Sequence, residues 1–413
     1  MGRRVVITGM GCITALAEST DGLFTALCQG KSGISRIESF DTTAYPVTFG
    51  GEVKGFDPNN YIDPRESKRM DRFTQFAVAA ANQAVKDSGL DFSKEDAYRA
   101  GVVLGTGIGG IREIEEQHIK LLDKGPRRVS PFCVPKLMGN AAAGNIAICH
   151  GLRGPNICVV SACASASHSI GEAFCSIVSG RSDIIISGGS EAAVTPIGLA
   201  SFCAARSLST RNDDPEGASR PFDKDRDGFV LSEGAGVLVL EEYEHAKKRR
   251  AHIYAELLGY GATDDGHHIT APMPSGEGAT MAMKFALQDA GIALEKVGYI
   301  NAHGTGTELN DVTESAAIRS VFGEHAYKIP VSSTKSCLGH QLGASGAVEL
   351  IVCAKVIETS IIPPTINLHN QDPRCDLKMD FVPLKARQAK VDFAMSNSFG
   401  FGGHNACLVI GRT

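Results

Sequence analysis

Residues 159–177 read VVSACASASHSIGEAFCSI, and residues 331–353 read VSSTKSCLGHQLGASGAVELIVC. Both pass from a β-branched stretch through a turn of small residues into a run rich in Ala, Gly and Ser. Two further pairs keep the same order: AGVVLGTGIGG (100–110) is echoed by VGYINAHGTGT (297–307), and RVVITGMGCI (4–13) by ELLGYGAT (256–263). Repeats that keep their order predict one supersecondary unit used twice. The expected halves are residues 1–250 and 251–413, with the charged stretch EEYEHAKKRRAH (241–252) at the join. Strands are expected at 4–11, 100–107, 156–163, 183–190, 235–242, 299–306, 329–334 and 406–411. Helical patterns lie between several of them, such as RFTQFAVAAANQAVKDSG (72–89), which ends in Gly89. This alternation predicts an α/β fold with covered, largely parallel sheets.

A chain of 413 residues can bury a large core, and 46 glycines point to many tight turns or close backbone approaches. The net charge of −5 argues against nucleic acid or an anionic membrane as a bulk partner. None of the twelve cysteines makes a CxxC pair, which disfavours zinc ribbons and thioredoxin-type sites. No apolar run reaches the ~18 residues of a membrane span. The N-terminal MGRRVVITGMG reads as a buried strand and not as a leader. Reduced thiols in a cytoplasmic compartment are expected.

Cys163 stands where a strand turns sharply into a helix among small neighbours. Such a turn raises one side chain above the sheet edge. The helix N-terminus, carrying about half a positive charge, is expected to favour its thiolate. Two histidines have comparable settings, His303 in NAHGTGTELND (301–311) and His340 in STKSCLGHQLGASGAVE (333–349). A last glycine-rich turn, SNSFGFGGHN (396–405), could offer backbone N–H groups to an oxyanion.

With these four motifs in this order, essentially the whole chain resembles the elongating β-ketoacyl-[acyl-carrier-protein] synthases, closest to those of the synthase II type. The resemblance implies a thiolase-like fold, a duplicated αβαβα unit in five layers, and a homodimer. It implies an acyltransferase that needs no cofactor or metal. Cys163 would take an acyl group from an acyl-carrier protein as a thioester. Malonyl-carrier protein would then lose CO₂, and its carbanion would attack that thioester. His303 and His340, as neutral imidazoles, would stabilise the charge that decarboxylation builds. The backbone N–H groups of Cys163 and Phe401 would form the oxyanion hole for acyl transfer. Ile108, Phe229, Phe399 and Phe401 match positions around the acyl pocket, Ile108 and Phe401 as gates. Lys335 matches a lysine of the site, with Glu314 as its expected carboxylate partner and Asp311 nearby. A specialised-pathway ketosynthase, such as one of polyketide synthesis, would share this set. A non-catalytic chain-length partner would lack Cys163.

Basic clusters matter in an acidic chain, because carrier proteins are acidic. Lys68 and Arg69 in RESKRMDR (65–72), Arg127 and Arg128 in GPRR (125–128), and Arg206 match places where the family docks its carrier. Three other motifs carry less weight. GTGIGG (105–110) is a lone glycine pattern without the dinucleotide spacing. DKDRDGFVLSEG (223–234) has calcium-loop acids but Gly234 where the twelfth-position Glu belongs, so it is expected to be a structured loop beside the pocket. DDGHH (264–268) reads as a solvated loop.

Overall fold

The computed structural model describes residues 2–413. Its centre is a sheet of ten strands. In chain order these are β1 (Val5–Thr14), β2 (Ala100–Gly105), β3 (Asn156–Val159), β4 (Ile184–Glu191), β5 (Gly234–Glu242), β6 (Ala255–Asp264), β7 (Tyr299–Asn301), β8 (Val331–Ser332), β9 (Phe393–Gly400) and β10 (His404–Gly411). Outward from the middle, one side runs β1-β5-β4-β2-β3 and the other β6-β10-β9-β7-β8. The second series is the first advanced by five strands. Directions agree as well: the two inner pairings of each series are antiparallel and the two outer ones parallel. The series meet where Val5–Ile7 of β1 run antiparallel to Ala255–Leu257 of β6.

Five helices complete the layers: α1 (Arg72–Ser88), α2 (Ser165–Val178), α3 (Glu277–Ala290), α4 (Glu308–Phe322) and α5 (Ser345–Thr359). α1 covers the outside of the first series, and α3 with α4 covers the second. α2 and α5 lie between the two series. Thirteen residues of α5 are buried, which explains why its sequence is largely apolar on every side apart from Glu349 and Lys355.

The outer helices show why the two halves repeat glycines. A Cβ at Gly9 or Gly11 of β1 would lie 2.1 Å from the carbonyl of Ala84 or Ala80 in α1. At Gly259 and Gly261 of β6 it would lie 2.3 and 2.0 Å from the carbonyls of Ala286 and Ala282 in α3. Each pair of glycines lets a helix backbone touch its strand, a contact no side chain permits. α1 starts at Asp71, whose side chain accepts from the Phe73 N–H, and ends on Gly89 at φ +66°, as its pattern predicted.

Four strands are shorter than their sequences suggested, at 156–159, 299–301, 331–332 and 100–105. In the second, the backbone leaves the ladder because the Glu314 carboxylate collects the N–H groups of His303 and Gly304 at 2.9 and 2.8 Å. SNSFGFGGHN is not simply a turn. It is the end of β9, the start of β10, and a Phe401–Gly403 hairpin with Gly402 at φ +87° and Gly403 at φ +83°.

Candidate active site

Both repeats enter their central helix through the same strained elbow. Ala162 lies at φ +48° just before Cys163, and Leu342 at φ +47° just before Gly343. Non-glycine residues rarely adopt this conformation, and the surrounding packing must hold them in it. Ser165 and Ser345 then open α2 and α5. The elbows are thus alike, but only the first carries a thiol.

Cys163 opens onto a cavity of about 250 Å³ that is also lined by His303, His340, Ile108, Phe229, Phe399 and Phe401. Seven of the residues singled out from sequence therefore converge, although they come from segments up to 293 positions apart in the chain. The hairpin sits directly against the nucleophile turn: a Cβ at Gly400 would lie 3.1 Å from the Cys163 nitrogen. The N–H groups of Phe401 and of Cys163 itself lie close enough to the thiol to pull its pKa down.

The expectation of a thiolate favoured by the helix terminus is corrected. Cys163 is only 8% exposed. Burial pushes its thiol up to about 12, against the opposing pull of Lys335 and the Phe401 N–H. The free protein therefore holds Cys163 as a thiol.

The two imidazole rings lie 5.3 Å apart, nearly perpendicular at 83°. Burial and the Lys335 charge hold both well below the ordinary histidine range, so both are neutral near pH 7. The tautomer of His340 follows from its partners. Its Nδ1 receives the Leu342 backbone N–H at 3.2 Å and lies 3.0 Å from Ser345 Oγ. A backbone N–H can only donate, so the ring proton sits on Nε2, an atom with no protein partner. The Leu342 elbow thus makes His340 a hydrogen-bond donor toward the cavity. Phe229 and Phe399 pack edge-on against His340 and His303, at 5.3 and 5.8 Å.

Lys335 does not pair with Glu314. Its ammonium is bound by Glu349 of α5, and both side chains are 2% exposed. Glu314 is spent on the His303 and Gly304 N–H groups and on Asn397 Nδ2 at 3.2 Å, and burial pushes it up to about 7. Glu314, expected as the partner, lies 21 positions from the lysine, whereas Glu349 lies 14 away and the helix register of α5 brings it to Lys335. Glu349 was missed; the available signal was a lone acid in the apolar run GASGAVELIVC. Asp311 receives the N–H groups of Phe222 and Thr305 at 2.8 and 3.1 Å and faces Arg226 at 3.5 Å. It braces the loop behind the site. Lys335→Met is expected to cost about 3 kcal/mol of stability by leaving a buried carboxylate unpaired, and adding Glu349→Leu to recover most of it. Denaturant midpoints of the single and double variants check this, and equal midpoints for wild type and Lys335→Met would refute it.

Two of the calcium-like acids, Asp223 and Asp227, are engaged within the protein. Asp223 accepts the N–H groups of Asp225, His369 and Asn370, and Asp227 pairs with Arg220 at 2.8 Å. Phe229, in the same segment, borders the cavity. Asp265 of DDGHH accepts from Met273 N and Asn405 Nδ2, both at 2.8 Å. Lys68, Arg69, Arg127, Arg128 and Arg206 are all exposed and lie outside the cavity lining. Arg69 already pairs with Glu66 at 3.1 Å.

Two family models match the chain: Beta-ketoacyl synthase, N-terminal domain, over residues 2–246, and Beta-ketoacyl synthase, C-terminal domain, over residues 254–369. The chain is 52% identical over 406 residues to a 3-oxoacyl-[acyl-carrier-protein] synthase 2 of Synechocystis sp., covering 98% of this chain and 97% of the relative. It is 51% identical over 410 residues to the protein of that name in Coxiella burnetii, covering 99% of each. Among solved structures, a type II polyketide ketosynthase in complex with its acyl-carrier protein superposes with a TM-score of 0.93 at 34% identity, over the whole of both chains. The layered, duplicated αβαβα architecture is the thiolase-like fold of these enzymes, and this chain belongs to the beta-ketoacyl synthase family.

Proposed function

We propose that this protein is an elongating 3-oxoacyl-[acyl-carrier-protein] synthase of fatty acid synthesis, an acyltransferase. The observation that carries this reading is the convergence of the Cys163 thiol, two N–H groups aimed at it, and two neutral imidazoles in one cavity. The high full-length identity to synthases of that name favours fatty acid synthesis over a specialised pathway.

The chemistry follows from the geometry. The thiol attacks an acyl-carrier thioester; the new C–S bond forms at Cys163, the carrier's C–S bond breaks, and the proton passes to the departing carrier thiolate. The Cys163 and Phe401 N–H groups stabilise the tetrahedral oxyanion. Malonyl-carrier protein then loses CO₂, and the charge moves onto its thioester oxygen. An N–H from each imidazole stabilises that oxygen without adding a net charge. The enolate carbon attacks the acyl-Cys163 carbonyl, the Cys163 thiolate leaves and regains a proton, and 3-oxoacyl-carrier is released. Burial, with Lys335 ion-paired behind the cavity, keeps both imidazoles neutral. The test is intact-protein mass after incubation with acyl-carrier proteins. An acyl adduct on Cys163, discharged by malonyl-carrier as a 3-oxoacyl product, is expected. No adduct with any chain length would end this reading.

The exposed basic residues suit an acidic carrier. Reversing Arg127 and Arg128 to Glu is expected to raise KM for acyl-carrier about tenfold with little change in kcat, an effect that added salt erodes. An unchanged KM would remove this face from docking.

We also assign a homodimer. β3 is an unpaired edge, with Ile157 50%, Val160 62% and Ile148 80% exposed around it. A bare apolar edge pairs readily with its own copy about a twofold axis. Sedimentation at the dimer mass, reverting to monomer in Ile157→Lys, is expected; a wild-type monomer would refute it. No helix among the described residues is long and apolar enough to cross a membrane. Twelve cysteines without disulfides suit the reducing cytoplasm.

A further inference from the structure

Glu191, at the end of β4, is fully buried. Its carboxylate takes four donors and forms no salt bridge among the described residues. Oε2 accepts the N–H groups of Gly107 at 2.6 Å and Gly343 at 3.1 Å. Oε1 accepts the Ile108 N–H and the Thr106 hydroxyl, both at 3.1 Å. One carboxylate thus joins two walls of the cavity. The Thr106–Ile108 turn carries Ile108 into the lining, and the Gly343 elbow carries Leu342, which sets the His340 tautomer. The turns touch, because a Cβ at Gly343 would lie 2.2 Å from the Gly107 nitrogen. A Cβ at Gly107 or Gly343 would lie 2.7 or 2.8 Å from Oε2, so both glycines make room for the carboxylate.

We propose that Glu191 is a positioning residue for the acyl pocket, tying the Thr106–Ile108 turn to the Gly343 elbow and so holding Ile108 against the cavity beside Cys163. The inference rests on the synthase reading for what the cavity holds. Neutral donors alone satisfy the carboxylate, so its role is to hold backbone in place. Burial pushes it up to about 7, against the pull of the Gly107, Gly343 and Ile108 N–H groups and the Thr106 hydroxyl.

The test is Glu191→Gln. An amide has one acceptor oxygen. Of the four partners only the Thr106 hydroxyl can accept from the new NH₂, so the oxygen stays with Gly107 and Gly343 and Ile108 loses its acceptor. Hydrogen exchange at Ile108 is expected to quicken about tenfold, the size of one lost hydrogen bond to a charged group, with the 341–346 segment unchanged. The ratio of kcat/KM for long over short acyl-carrier substrates is expected to rise about fivefold as Ile108 retracts. Unchanged exchange, an unchanged ratio, or an equal loss at every chain length would each overturn the proposal, the last marking a merely structural role. Should Glu191→Gln fail to fold, Thr106→Val removes a donor to the same oxygen, and the hydroxyl that receives the Gly109 N–H at 3.1 Å, and is expected to shift both readouts the same way. The exchange measurement needs no turnover. A wild type that never acylates would sink the synthase reading, and exchange would still decide whether Glu191 holds the turn.

Discussion

Cys163→Ala is expected to abolish acyl transfer and condensation while the fold persists. The Cys163 thiol is the nucleophile beside the Phe401 and Cys163 N–H groups. Without it no covalent intermediate can divide the reaction into two steps. Removing a covalent nucleophile lowers turnover on the order of 10⁶-fold in well-studied hydrolases, and condensation here should fall below detection. The structural cost is small, because alanine keeps the Cβ that packs in the elbow and only one atom, the sulfur, is removed. Intact mass should show no acyl adduct, and thermal melting should shift by only a few degrees. Malonyl-carrier should still lose CO₂ slowly, because His303 and His340 remain. Condensation by this variant, or an adduct mapped to another residue, would defeat the central assignment.

His303→Ala and His340→Ala should split the reaction the other way. Acylation of Cys163 depends on the thiol and the two N–H groups, so an adduct should still form. Release of CO₂ from malonyl-carrier should fall by about 10²–10³-fold in each variant, the usual loss for one preorganised oxyanion donor. The buried setting makes each donor matter, since no water can replace it without entering an apolar cavity. His340→Ala should show the cleaner effect, because its Nε2 proton is dictated by the Leu342 N–H. Single-turnover CO₂ release against acyl-adduct formation separates the two steps. Normal CO₂ release by both variants would remove the imidazoles from decarboxylation.

Much of the fold was legible in the chain. Each of the eight expected strand stretches contributes to the sheet, and the α1 pattern ends on its glycine. Strand ends were less legible, because they depend on which group satisfies each backbone N–H. His303 and Gly304 leave the ladder for a carboxylate that arrives from α4. β9 was read as a turn because its glycines dominate the sequence, while its neighbours β7 and β10 supply the pairing that makes it a strand.

By itself the sequence determined the α/β class, the internal repeat and the turns that carry Cys163, His303 and His340, while the layering and the pocket residues Ile108, Phe229, Phe399 and Phe401 came with the family resemblance. The first three follow from local information: periodicity, small residues where backbones touch, and a thiol and imidazoles set in sharp turns. Only the tertiary structure decided how the buried charges are shared. Lys335 meets Glu349, and Glu314 and Glu191 hold backbone turns. It also decided that Cys163 rests as a thiol, because burial outweighs the neighbouring donors. Ion pairing and desolvation depend on distance and solvent access in three dimensions. Spacing along the chain carries neither, so the carboxylate expected from sequence, Glu314, is not the lysine's partner.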